Sequence, residues 1–160
     1  MVETPQCPSA IGYRLCAVDL QARPTAVIRL CPARAETEAW LARTVRQLND
    51  ELGRQGVSAI EPLFVRHLDG TQSTQVEVGY LVSEPIEDGE VVVASGLPAG
   101  SAIMAVGVHP EAADDARHAL GEWLAMRGFR PHGAGWQCVQ EDPHDAARPL
   151  LDIVQPYRWR

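Results

Sequence analysis

The sequence predicts an α+β domain: two pseudo-symmetric strand-helix-hairpin repeats that form a mainly antiparallel sheet, with two helices on one face and a ligand cleft on the other. Three observations predict it. The same order of apolar runs occurs twice, the second copy about 72 residues after the first. Each copy holds one stretch of helical apolar spacing closed by glycine. The other apolar runs are short and bounded by Pro, Gly or Asp, as strands are. Small molecules bind at concave junctions, so a cleft between the repeats is the expected site.

Residues 1–10 read as a flexible lead-in and residues 11–160 as a single domain, with repeats at about 24–83 and 101–157. Tyr13 to Leu20 has the mixed alternation of a strand, and Pro24 bends the chain before the next strand, which ends at Leu30 and Pro32. From Glu36, the residues Leu41, Thr44, Val45, Leu48 and Leu52 recur at helical spacing, and Gly53 and Gly56 supply the stop. Pro62 to Leu68 and Val76 to Val82 read as a hairpin, and Val91 to Ala94 as a further strand. Leu97-Pro98-Ala99-Gly100 turns the chain into the second copy. There Ala102 to Val106 is a strand, and a helix opens at Pro110 with Glu111, Asp114 and Asp115 on its positive end. That helix buries Ala113, Ala116, Leu120, Trp123 and Leu124 and closes at Gly128. Trp136 to Glu141 and Leu150 to Val154 complete the pattern.

At 160 residues, 46% of them hydrophobic and 22% charged, the chain is long enough to bury a good core. A net charge of -7, with all 14 basic residues arginine and scattered along the sequence, excludes direct nucleic-acid binding as an expectation. Cys7, Cys16, Cys31 and Cys138 form no metal-ligand or redox spacing, so reduced thiols, no metal and no cofactor are expected. No apolar run approaches membrane-spanning length and no secretory leader is legible, so the expected location is cytoplasmic, away from any membrane. The sequence contains no G-x-S-x-G, P-loop, H-E-x-x-H or G-x-G-x-x-G.

The candidate ligand residues follow from strand alternation. Glu77 interrupts Val76-x-Val78 and Asp152 interrupts Leu151-x-Ile153, so both carboxylates point away from the apolar face. There they either meet water or, partly desolvated, compensate a ligand cation. His67 and His109 sit at strand ends near the expected cleft, whereas His118 reads as solvated. Trp123 falls on a helical stripe, and Trp136 opens a strand, either capping the core or forming a stacking platform. If Trp136 and Cys138 face the helices, Gln137, Val139 and Glu141 share the cleft face.

In order along the chain, Pro62-Leu63-Phe64-Val65-Arg66, Val76-Glu77-Val78-Gly79, Leu97-Pro98-Ala99-Gly100, Leu120-Gly121-Glu122-Trp123-Leu124 with Gly128, Trp136 with Asp142-Pro143, and Asp152-Ile153 resemble the GyrI-like small-molecule-binding family. The same domain is the effector-binding module of multidrug-responsive AraC- and MerR-type regulators. The resemblance covers Tyr13 to Tyr157 and implies an aromatic-lined cleft for flat cationic or amphipathic compounds. It places acidic family positions at Glu77 and Asp152, whereas Gln137 and Val139 depart from the family's Glu and Tyr. With about 20 residues ahead of the first repeat, too few for a helix-turn-helix, a stand-alone member is expected.

The expected function is therefore the binding of hydrophobic, often cationic small molecules. Two alternatives stand beside it: a hydrolase of cyclopropane-containing natural products, with Glu141 as acid or base and Trp136 stacking on the substrate, and an inhibitor that binds a protein partner through the acidic surface.

Overall fold

The computed structural model describes residues 12–31, 38–68, 75–142 and 145–160, with backbone alone at 38, 39, 61, 141, 142 and 145–147. The strands are β1 (Arg14–Leu20), β2 (Arg23–Leu30), β3 (Ala59–Leu68), β4 (Gln75–Val82), β5 (Val92–Leu97), β6 (Gly100–Val108), β7 (Phe129–Pro131), β8 (Trp136–Asp142) and β9 (Asp145–Trp159). The helices are α1 (Glu38–Gln55) and α2 (Ala113–Met126), the latter entered through a 3-10 turn at Pro110–Ala112. The α+β class and the antiparallel sheet are as the sequence predicts. β7 is a strand the sequence pattern does not show, because its Phe-Arg-Pro is too short to carry a period.

The chain divides into two compact units, Gln21–Ala99 (the first) and Gly100–Arg160 with the segment ending at Leu20 (the second). Strand order in the first unit is β3-β4-β2-β5; in the second it is β1-β6-β9-β8, with β7 also on β9. Both follow one plan. The strand before the helix (β2 or β6) is paired on one side with the last strand of the hairpin after that helix (β4 or β9) and on the other with an edge strand (β5 or β1). The edge strand of the first unit follows its hairpin in sequence, whereas that of the second comes from ahead of β2.

α1 buries Thr44, Leu48 and Leu52 against the first unit's sheet, where Ala26, Ile28, Tyr80, Val82 and Val92 meet them. It ends because Gly56 adopts φ 68°. That turn lets Val57 N–H reach the Leu52 carbonyl at 3.0 Å, and Leu52 and Val57 both join the core. α2 presents Ala113, Ala116, Leu120, Trp123 and Leu124 to Tyr13, Leu15, Ile103, Ala105, Leu151 and Ile153 of the second unit. Pro110 at the start of the 3-10 turn forgoes an N–H that would have no partner there.

Two register shifts and one close approach mark the sheets of the two units. Pro62, which has no N–H, lies where β3 shifts register against β4 between Ile60 and Phe64. Gly79 lets β2 and β4 approach so closely that a Cβ there would collide with the Ala26 carbonyl and Val27. In β6, Gly107 at φ 75° forms a bulge, with Val106 and Gly107 lying between the pairs Ala105 with Ile153 and Val108 with Leu151.

Candidate functional site

In the first unit the helix-free face centres on Glu77. Its side chain is 0% exposed and accepts hydrogen bonds from three strands: Arg29 Nε of β2 at 3.0 Å, Arg66 Nε of β3 at 3.0 Å and the Ser95 hydroxyl of β5 at 3.1 Å. Arg66 Nη2 also donates to Ser95 Oγ at 3.4 Å, so side chains from all four strands of the unit close on one carboxylate. Burial pushes the Glu77 carboxyl up, but Arg66, Arg29 and Ser95 together outweigh it and hold the group below its ordinary value. The carboxylate is shielded from water and paired with two guanidinium groups of the same unit.

The corresponding carboxylate of the second unit is Asp152 in β9, 9% exposed. Its donors are uncharged: Gly107 N–H at the β6 bulge reaches Oδ1 at 3.1 Å, and Gln140 Nε2 reaches Oδ2 at 2.6 Å. Among the described residues no basic side chain forms an ion pair with it. Cys138 lies opposite Asp152 in register, and burial together with the Asp152 charge pushes its thiol up to about 11.

Alternation in β8 and β9 decides which residues share a face with Asp152. Val139 packs with Leu151 and Ile153 in the core beneath α2, and Gln137 Oε1 accepts a hydrogen bond at 2.6 Å from Arg117 of that helix. Gln137 and Val139 therefore face the helix, and Trp136, Cys138 and Gln140 lie on the opposite side with Asp152. This inverts the assignment expected from sequence. The physical reason is that Trp136 pairs with Val154, one residue out of phase with the core positions Leu151 and Ile153. By the same alternation Cys16, Met104 and Val106, each half-buried, lie on the Asp152 side of β1 and β6.

Trp123 does not reach that face either. It is buried in the α2 core, stacked on Phe129 at 5.9 Å between ring centroids and covered by the Arg127 guanidinium at 4.2 Å. His67 is exposed on β3 opposite Val76. His109 follows β6, its carbonyl accepting from Ala112 N–H at 2.9 Å, and its Nδ1 is buried without a hydrogen-bond partner among the described residues. His118 is on the solvent side of α2, 3.1 Å from Glu122. The Glu141 side chain lies outside the described residues. Sequence reasoning missed Arg29, Arg66, Ser95, Gly107 and Gln140. The signal for the two arginines was available, since each interrupts an apolar strand run as Glu77 does.

No family model matches the sequence, and no curated protein matches it. Solved structures do. The C-terminal domain of EcmrR superposes with a TM-score of 0.74 at 13% identity, over 93% of this chain and 99% of that chain. The chain has the GyrI-like fold. A hydrolase encoded by lin2189 from Listeria innocua is similar with a TM-score of 0.66 at 10% identity, over 90% of this chain and 91% of that one. SAV2435 bound to tetraphenylphosphonium is similar with a TM-score of 0.53 at 11% identity, over 91% and 93%. At these identities the likeness establishes the GyrI-like fold and leaves chemistry to the residues.

Proposed function

We propose that the chain binds hydrophobic cations of small-molecule size on the helix-free face of its second unit, with Asp152 as the charge partner. One observation carries the reading: of the two mid-strand carboxylates, Asp152 alone is buried with uncharged donors, while Glu77 is matched by two arginines. A carboxylate held by neutral dipoles in a largely dry setting keeps its negative potential, and a ligand cation gains more from it there than in water. The half-buried Met104, Val106 and Cys138 around it supply apolar and polarisable contact, with Trp136 on the same face. The tetraphenylphosphonium held by SAV2435, a protein of the same fold, supports the ligand class by analogy.

Calorimetric titration with tetraphenylphosphonium and with neutral triphenylphosphine oxide tests the reading, using the wild type and Asp152→Asn. Asn keeps an acceptor for Gly107 N–H and removes the charge. We expect about a tenfold loss for the cation, equivalent to about 1.4 kcal/mol, and little change for the oxide. Equal losses for both ligands, or none for the cation, would remove Asp152 from the site.

A further inference from the structure

We infer that the corner made by β7 and the end of β9 is a docking surface for an extended acidic segment of a partner protein, one whose carboxylates alternate with apolar side chains. The charge distribution is the first observation. Residues 123–140 and 153–160 contain no Asp or Glu in a chain that has 21, yet they hold Arg127, Arg130, Arg158 and Arg160. The fold brings Arg130, Arg158 and Arg160 together, because β7 pairs with the last residues of β9 and Arg160 N–H reaches the Gly128 carbonyl at 3.3 Å, while Arg127 lies over Trp123 on the aromatic side. Arg130 and Arg158 stand directly opposite one another across the two strands. A like-charge cross-strand pair is unfavourable, and an anion placed between the two guanidiniums reverses the sign of that interaction.

The second observation is apolar. Trp159 is 71% exposed and Met126 82% exposed, two of the four exposed large hydrophobic residues among those described. Trp159 is not a loose side chain: its ring lies 4.4 Å from Phe129, which is 4.5 Å from Tyr157. A preorganised aromatic surface loses little conformational freedom when covered, which is why such residues dominate binding surfaces.

Geometry then selects the occupant. Phe129 and Trp159 form one register pair and Arg130 and Arg158 the next, so aromatics and arginines lie on opposite faces of a two-stranded ribbon. Among the described residues β7 is paired along one edge only. A strand adding to the free edge would itself present alternate side chains to the two faces, acids toward the arginines and apolar groups toward the aromatics. A single-stranded nucleic acid fits less well, because bases stacked on Trp159 would leave the phosphates on the wrong face of the ribbon, and the chain as a whole carries -7.

The test uses fluorescence anisotropy of the full chain with three labelled probes: a peptide of alternating Glu and Leu, the same peptide with Gln for Glu, and an oligothymidine of similar length. The acidic peptide is expected to bind saturably, at least about fivefold more weakly at about 500 mM than at about 50 mM NaCl. The Gln peptide is expected to bind about tenfold more weakly than the acidic one. Arg130→Glu with Arg158→Glu should cost about tenfold and Trp159→Ala about fivefold, all at exposed positions where circular dichroism confirms the fold. Tighter binding of the oligothymidine, equal binding of the two peptides, unchanged binding by the double variant, or no saturation with the acidic peptide would each overturn the inference.

Discussion

Replacing Glu77 with Gln keeps the shape of the side chain and removes the one negative charge in a cluster with two guanidiniums. Arg66 is left nearly buried, its side chain 12% exposed, with no counter-ion among the described residues, whereas Arg29 at 47% exposure turns to water. Breaking a buried pair by removing one partner costs about 3 to 5 kcal/mol, and exposed pairs contribute about 0 to 1. Weighting the two arginines accordingly gives about 3 kcal/mol, or a drop of about 6 to 12 °C in melting temperature for a chain of this size. Urea unfolding followed by circular dichroism measures it directly. The effect has a pH signature. The folded-state carboxyl lies below its ordinary value, so the stability it contributes is fully present above the unfolded-state pKa and is lost as pH falls through the folded value. The gap between wild type and Glu77→Gln should therefore be full at pH 7 and close on acidification. A gap under about 1 kcal/mol at neutral pH, or one that does not shrink in acid, would refute the claim that Glu77 ties the four strands together.

Two further outcomes follow from the second unit. Gln137→Glu should form an exposed ion pair with Arg117, stabilise by no more than about 1 kcal/mol in urea unfolding, and leave tetraphenylphosphonium affinity unchanged, since position 137 faces α2. The Cys138 thiol, pushed up to about 11 by burial and Asp152, should react slowly with a disulfide reagent at pH 8 while exposed Cys31 reacts quickly, and Asp152→Asn should speed the Cys138 phase. A Cys138 rate equal to that of Cys31, or one indifferent to Asp152→Asn, would contradict that environment.

The sequence by itself determined the class of fold, the two helices with their glycine stops, most strands, and the fact that Glu77 and Asp152 point away from the helices. All of these rest on local periodicity, which adjacent residues carry. It could not determine which neighbour each carboxylate meets. Whether Glu77 faces solvent, a ligand or two arginines depends on the register of β2 against β4 and β4 against β3, and those partners lie 48 and 11 residues away. Alternation likewise left the phase of β8 open, because Trp136 and Gln137 both fit a half-buried strand and pairing with β9 alone decides which one meets α2. The bulge at Gly107 that aims an N–H at Asp152, and the gathering of arginines scattered through the sequence at the β7 corner, are also products of pairing between distant segments. Spacing along the chain records which side of its own strand a residue takes; tertiary structure decides what stands on that side, because charges and hydrogen bonds act over a few ångströms of space whatever the separation in sequence.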